Sequence, residues 1–185
     1  MNEIENKINY CLKKAVLIGT RHSIQRGTKK NDNFKDFIKE LCTKYKIKAI
    51  AEEIDNENKY IAQNVSTEFG IKYKIIEPTP EEKKKLQIEE EYHIIYELSN
   101  RYDIEDWDKQ YTNDALPPKV LEEYKERLKK TYKQREKVWM KKILQLNTWP
   151  LLIICGSDHS QSFCELLTSS SIDVIKKYEY KETYD

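Results

Sequence analysis

Ala15-Val16-Leu17-Ile18-Gly19 is an unbroken apolar run, too short for a helix and closed by glycine, and it predicts a buried strand. After it, Phe34, Phe37, Ile38 and Leu41 recur at steps of three and four, which predicts an amphipathic helix over 34–45. Residues 47–54 predict a second strand, followed by a helix around 58–69 that stops at Gly70. A third strand over 71–76 ends at Pro78-Thr79-Pro80. Far along the chain, 151–155 reads as a fourth strand, 161–169 as a helix and 172–175 as a fifth strand. Strand, helix and strand joined by short connectors predict an α/β fold: a mostly parallel sheet of about four to five strands flanked by helices.

The middle breaks this rhythm. From about 81 to 147 the chain shows helical patterns and no strand, interrupted by an irregular stretch over 103–118. A helical insertion is therefore expected, serving as a cap on one α/β domain that spans 1–185. Its longest helix, 119–146, carries the stripe Leu121, Tyr124, Leu128, Tyr132, Arg135, Trp139, Ile143 and Leu146. Arg135 interrupts that apolar stripe. A guanidinium held between aromatic rings calls for a carboxylate or an anionic ligand, and Glu53, Glu77 or a bound oxyanion would each serve.

Composition narrows the function classes. The 185 residues include 33 Lys+Arg against 32 Asp+Glu, a net charge of +1, so no global field favours nucleic acid or a membrane surface. No apolar run is long enough to span a bilayer, and the first residues lack a signal-peptide pattern. The four cysteines (Cys11, Cys42, Cys155, Cys164) show neither CxxC pairing nor zinc-ligand spacing. Cys155 and Cys164 read as small buried apolar residues, and the whole suggests a reduced, cytoplasmic protein with a small-molecule substrate. Oligomeric state is not legible.

Of only four glycines, two stand three residues before a histidine, each after an apolar run: Gly19-Thr20-Arg21-His22-Ser23 and Gly156-Ser157-Asp158-His159-Ser160. Glu52 and Glu53 end the second strand and Glu77 ends the third. If the strands are parallel, all these groups meet at one carboxyl edge, where open α/β sheets bind ligands. Neighbouring strand residues alternate sides, so only one of Glu52 and Glu53 faces the site, and Glu53 is the preferred choice. His22, Glu53, Arg135 and His159 are then the candidate catalytic groups. Arg21, Glu52, Glu77 and Asp158 are candidate substrate-binding groups. His93 lacks such a context and is expected only to pack.

The order of these motifs resembles the superfamily that groups erythromycin esterases, ChaN-like haem-binding proteins and the TraB and Tiki proteins. The paired Gly-x-x-His phrases, Glu53, and Arg135-Glu136-Lys137-Val138-Trp139-Met140 carry the resemblance. The segment Glu77-Pro78-Thr79-Pro80 also looks like a signature of small bacterial proteins with this layout. The resemblance implies a hydrolase acting on esters or phosphoesters, with water activated by His22 and Glu53. It equally allows a metal-dependent version in which His22, Glu53 and His159 hold a divalent cation, so the cofactor is either none or a metal. A third reading, a non-catalytic binder of an anionic or nucleotide-like molecule, lacks any GxGxxG or Walker A loop.

Overall fold

The computed structural model describes residues 13–27, 32–55 and 60–181. Five strands, β1 (Lys14–Thr20), β2 (Ala49–Glu52), β3 (Lys72–Ile75), β4 (Leu151–Gly156) and β5 (Asp173–Glu179), form one all-parallel sheet in the order β3-β2-β4-β1-β5. The described helices are α1 (His22–Gln25), α2 (Asp32–Lys44), α3 (Ile61–Glu68), α4 (Pro80–Leu86), α5 (Glu91–Tyr102), α6 (Trp107–Thr112), α7 (Pro118–Leu146) and α8 (Ser157–Ser169). The chain is α/β. It divides into two compact units: Ile76–Gln145, and the residues on either side of that segment.

In the first unit the position of β4 matters most. Late in sequence, it sits in the centre of the sheet with β1 on one side and β2 on the other. Leu151 pairs with both Ala15 and Ala49, and Ile154 with both Ile18 and Glu52. A strand covered on both faces needs a continuous apolar run, and Leu151–Cys155 are all fully buried. Alternate positions then divide between two faces. Val16, Ile18, Ile50, Leu152 and Ile154 pack with Phe34, Ile38 and Leu41 of α2 and Ala62 and Val65 of α3. Each buried aliphatic side chain contributes roughly 1.5–3 kcal/mol. A register slip of one residue would turn that whole set to the wrong face, so the register is firmly held. On the opposite face α8 packs against β1, β4 and β5.

Some boundaries differ from the sequence expectation. β5 runs to Glu179, because an edge strand such as Asp-Val-Ile-Lys-Lys-Tyr-Glu carries solvated polar positions that hide it in a hydropathy pattern. α8 begins at Ser157, directly after β4, so Asp158 and His159 are helical rather than loop residues. The stretch expected to be irregular holds α6, whose first turn is capped by the Asp106 side chain accepting from the Lys109 N–H. The start expected for the helix at 58–69 lies outside the described residues, as does Cys11.

The second unit is helical throughout, as the sequence implies. α4 starts with a capping box: Thr79 accepts from the Glu82 N–H while Glu82 accepts from the Thr79 N–H, with Pro80 in the first turn. Ile94 and Leu98 of α5, Ile104, Trp107 of α6, Leu116, and Val120 and Tyr124 of α7 form its apolar cluster. Around it Arg127 pairs with Glu89 and Glu97, and Arg101 with Glu97 and Glu123.

Candidate functional site

Three neighbouring strand ends deliver the site. β1 ends at Thr20, and His22 opens α1 two residues later. β2 ends at Glu52, and the next residue, Glu53, extends the ladder by donating its N–H to the Ile154 carbonyl at 2.8 Å. β4 ends at Gly156, the N-cap of α8, and His159 lies in the first turn of that helix. Because β4 runs between β1 and β2, the groups that follow these strands are brought together across the sheet edge.

Glu53 is the centre of the cluster. Its Oε2 accepts the Gly156 N–H at 2.5 Å, and its Oε1 lies 3.4 Å from His22 Nε2. A methyl group built on Gly156 would lie 3.3 Å from Glu53 Oε2, 3.7 Å from His22 Nε2 and 3.7 Å from His159 Cδ2. One α-carbon is thus ringed by both histidines and the acid. Glu53 is 1% exposed and His159 3%, whereas the His22 side chain is 42% exposed. The imidazole therefore meets solvent while the acid behind it does not. The Gly156 N–H that Glu53 accepts belongs to the N-cap of α8, so the carboxylate sits at the amino end of the helix.

Glu52 takes the opposite face. It is fully buried, accepting the Tyr73 hydroxyl at 2.6 Å on Oε2 and Gln25 Nε2 at 3.2 Å on Oε1. Its partners are neutral donors, and no cationic side chain among the described residues forms an ion pair with it. Burial pushes its carboxyl up to about 7, against the hydrogen bonds from Tyr73 and Gln25 and the nearby His22, which lower it. Burial likewise drives the Tyr73 phenol upward, with Glu52 adding to it. Of the two acids, Glu53, the preferred choice, is the one beside the His22 imidazole; alternation required only that the two differ, and the end of β2 at Glu52 was not visible in a strand expected over 47–54.

The two Gly-x-x-His phrases are not equivalent in space. The register pairs Gly19 with Cys155 and Thr20 with Gly156, so the phrases are offset by one residue. Gly156 leaves room inside the cluster. Gly19 serves close packing instead: a methyl group there would meet Ser160 Cβ at 2.8 Å and Glu179 Oε2 at 2.6 Å. Ser160 donates to Glu179 across the same contact.

Glu77 and Arg135 meet each other in the second unit. Glu77 Oε2 accepts from Arg135 Nε at 3.2 Å, Arg135 Nη2 at 2.9 Å and Trp139 Nε1 at 3.2 Å. Lys83 Nζ lies 2.9 Å from Oε1, and Lys142 Nζ donates to the Glu77 carbonyl at 2.7 Å. Of the partners expected for Arg135, the structure supplies Glu77. Arg21 and Asp158 are exposed beside the first-unit cluster. His93 is exposed as well, its ring centroid 4.0 Å from that of Tyr92. Tyr92 and Tyr96 face solvent, while Trp107 is part of the helical core.

Gln25 is the residue the sequence reading passed over. Its Nε2 bridges Glu52 Oε1 and, at 3.1 Å, the Glu53 carbonyl, and it sits on the same short helix as His22. A glutamine three residues after a histidine carries no chemical signal of its own; only the pairing of strands reveals it. Cys42 and Cys155 are buried and Cys164 is half-buried, a correction for the last. Burial pushes the Cys42 thiol up to about 11, which keeps it unreactive near neutral pH.

Among the described residues, no group of three or more His, Cys, Asp or Glu side chains is arranged to hold a metal ion. None of the described helices is long and apolar enough to cross a membrane. Comparison with family models, with curated proteins and with solved structures found no match for this chain.

Proposed function

We propose that the chain is a small hydrolase of ester or phosphoester type, its reaction centred on His22 and Glu53. The observation that supports this is the half-exposed His22 imidazole with a buried carboxylate 3.4 Å behind its Nε2. Glu53, fixed by the Gly156 N–H, orients the ring and stabilises the imidazolium that forms when His22 takes a proton from water. With Nε2 turned to Glu53, Nδ1 is the nitrogen that accepts that proton. His159, buried beside Gly156, donates a proton to the leaving group, and the two histidines regain their starting protonation by exchange with water. Negative charge developing on the substrate faces the amino end of the 13-residue α8, whose dipole favours it.

No step is assigned to Arg135, whose guanidinium holds Glu77 in the second unit. The likeness to the esterase, ChaN and TraB–Tiki superfamily supports the same residues in the same order. The metal-dependent version has less support, since the described acids and histidines form no ligand set. A panel of nitrophenyl esters, phosphomonoesters and phosphodiesters, assayed after chelator treatment, tests the proposal. Turnover of at least one substrate, lowered about 100-fold or more by Glu53→Gln, is expected. If nothing is consumed while nucleotides or other anions raise the melting temperature, the site binds and does not catalyse.

A further inference from the structure

We propose that Gln25 is a positioning residue that sets the distance between His22 and Glu53; the inference rests on the reading of those two as a working pair. Gln25 is fully buried, and its amide nitrogen donates to two acceptors. One bond goes to Glu52 Oε1 at 3.2 Å and the other to the Glu53 carbonyl at 3.1 Å. These bonds tie α1, which begins with His22, to the end of β2, where Glu53 begins. β1, which leads into α1, and β2 are separated in the sheet by β4, and a second, more exposed tie between the same two segments is the ion pair of Arg26 with Asp55.

The amide orientation is fixed by its partners. Turned over, its oxygen would oppose a carboxyl oxygen and a carbonyl oxygen at hydrogen-bond distance, which is repulsive. In the orientation that satisfies both acceptors, Gln25 Oε1 has no hydrogen-bond partner despite its burial. An unsatisfied buried acceptor costs on the order of 1–3 kcal/mol. A residue chosen for packing alone would not carry that cost, because methionine or leucine would fill similar space without it. The fold tolerates the orphaned oxygen because the two N–H donors hold something that must not move. What they hold is the backbone of Glu53, the residue whose carboxylate stands 3.4 Å from His22.

Arg26 at the end of α1 pairs with Asp55, which also accepts the Tyr60 hydroxyl, and His159 of α8 borders Gly156 beside His22 and Glu53. His22 faces Glu53 and feels Glu52; Glu52 faces Gln25 and Tyr73 and feels Glu53; Tyr60 feels Tyr73 from the start of α3. Without the bridge, the tie that remains between the end of α1 and the segment after Glu53, the exposed Arg26–Asp55 pair, is weak, so the Glu53 backbone is freer to shift and its support of the His22 imidazolium weakens.

The test is Gln25→Met, which keeps the volume and removes both donors, read by the NMR titration of His22 in the full chain. The His22 pKa is expected to fall by about 1 unit relative to wild type, the scale of losing one close carboxylate. In the Glu53→Gln background the same Q25M change should leave His22 unmoved, since the effect passes through Glu53. An unchanged His22 titration in folded Q25M overturns the inference, as does an equal shift in both backgrounds. Should Q25M fail to fold, the wild-type protein still decides. The Gln25 side-chain amide protons should exchange slowly and shift in step with His22; fast, pH-insensitive amide protons would overturn the inference. Neither readout needs turnover, so failure of the hydrolase reading and failure of this one are separable.

Discussion

Glu52 and Glu77 are both acids near the carboxyl ends of neighbouring strands, yet the two units treat them in opposite ways. Glu77 is 11% exposed at its side chain and takes a guanidinium, an ammonium and an indole N–H. Glu52 is fully buried and takes only a phenol and an amide. A buried carboxylate normally needs a cation, because removing one charge from water costs more than neutral donors return. Where the cations are present, as at Glu77, the acid is a structural tie within its unit. Where they are withheld, the acid is pushed toward its neutral form, and the fold carries a cost. The contrast singles out the carboxyl edge of β1, β4 and β2, where the proposed reaction is centred.

The largest effect is expected for His22→Ala, which removes the proposed general base. Next comes the second unit. Glu77→Ala removes the anion from Arg135 and Lys83; the group is half-buried, so the loss should lie between those of an exposed and a fully buried pair, about 1–3 kcal/mol. Chemical denaturation should show that loss, and a loss under about 1 kcal/mol would mean Glu77 is not a structural tie.

Glu52→Gln should do the reverse. Its folded pKa of about 7 stands above the 4.5 of the unfolded chain, so the native state holds the extra proton between those values. Stability from this group is therefore intact below about 4.5, falls as pH rises toward 7 and stays reduced above it. Glutamine cannot ionise, so E52Q should match wild type near pH 4 and exceed it at pH 8 by about 3 kcal/mol at most. A variant less stable than wild type at pH 8 would show that Glu52 is ionised and stabilising.

The smallest effects distinguish the two glycines. Gly19→Ala drives a methyl group into Ser160 and Glu179 and should cost about 1–3 kcal/mol. Gly156→Ala meets its neighbours at 3.3 Å or more on a backbone open to any residue, so it should fold nearly as well while crowding the ring of histidines and acid. Equal melting temperatures for the two variants would remove the distinction between packing glycine and site glycine.

The parallel α/β class was legible because the buried apolar runs of β1, β2 and β4, with shorter apolar signals at β3 and β5, alternate with helical periods. His22, Glu53 and His159 were legible because parallel strands send their following residues to one edge. What could not be read was the strand order. Nothing local in Leu151–Cys155 says that it enters between β1 and β2, and that insertion alone brings Gly156 to Glu53. The same gap hid Gln25, whose partners come from a strand two places away. Arg135 was legible as a buried cation needing an acid, but its stripe could not choose among Glu53, Glu77 and a ligand. The register offset between the two Gly-x-x-His phrases was hidden for a simpler reason: identical spacing along the chain does not fix identical spacing along a ladder.

The most direct test compares wild type with His22→Ala on whichever ester or phosphoester the wild type turns over best, with melting temperature as control. His22 is 42% exposed on a four-residue helix, so the variant should fold as wild type does. With the general base gone, kcat should fall by about 100-fold or more at unchanged melting temperature. A variant that folds and turns over at the wild-type rate would contradict the assignment of His22 as the base.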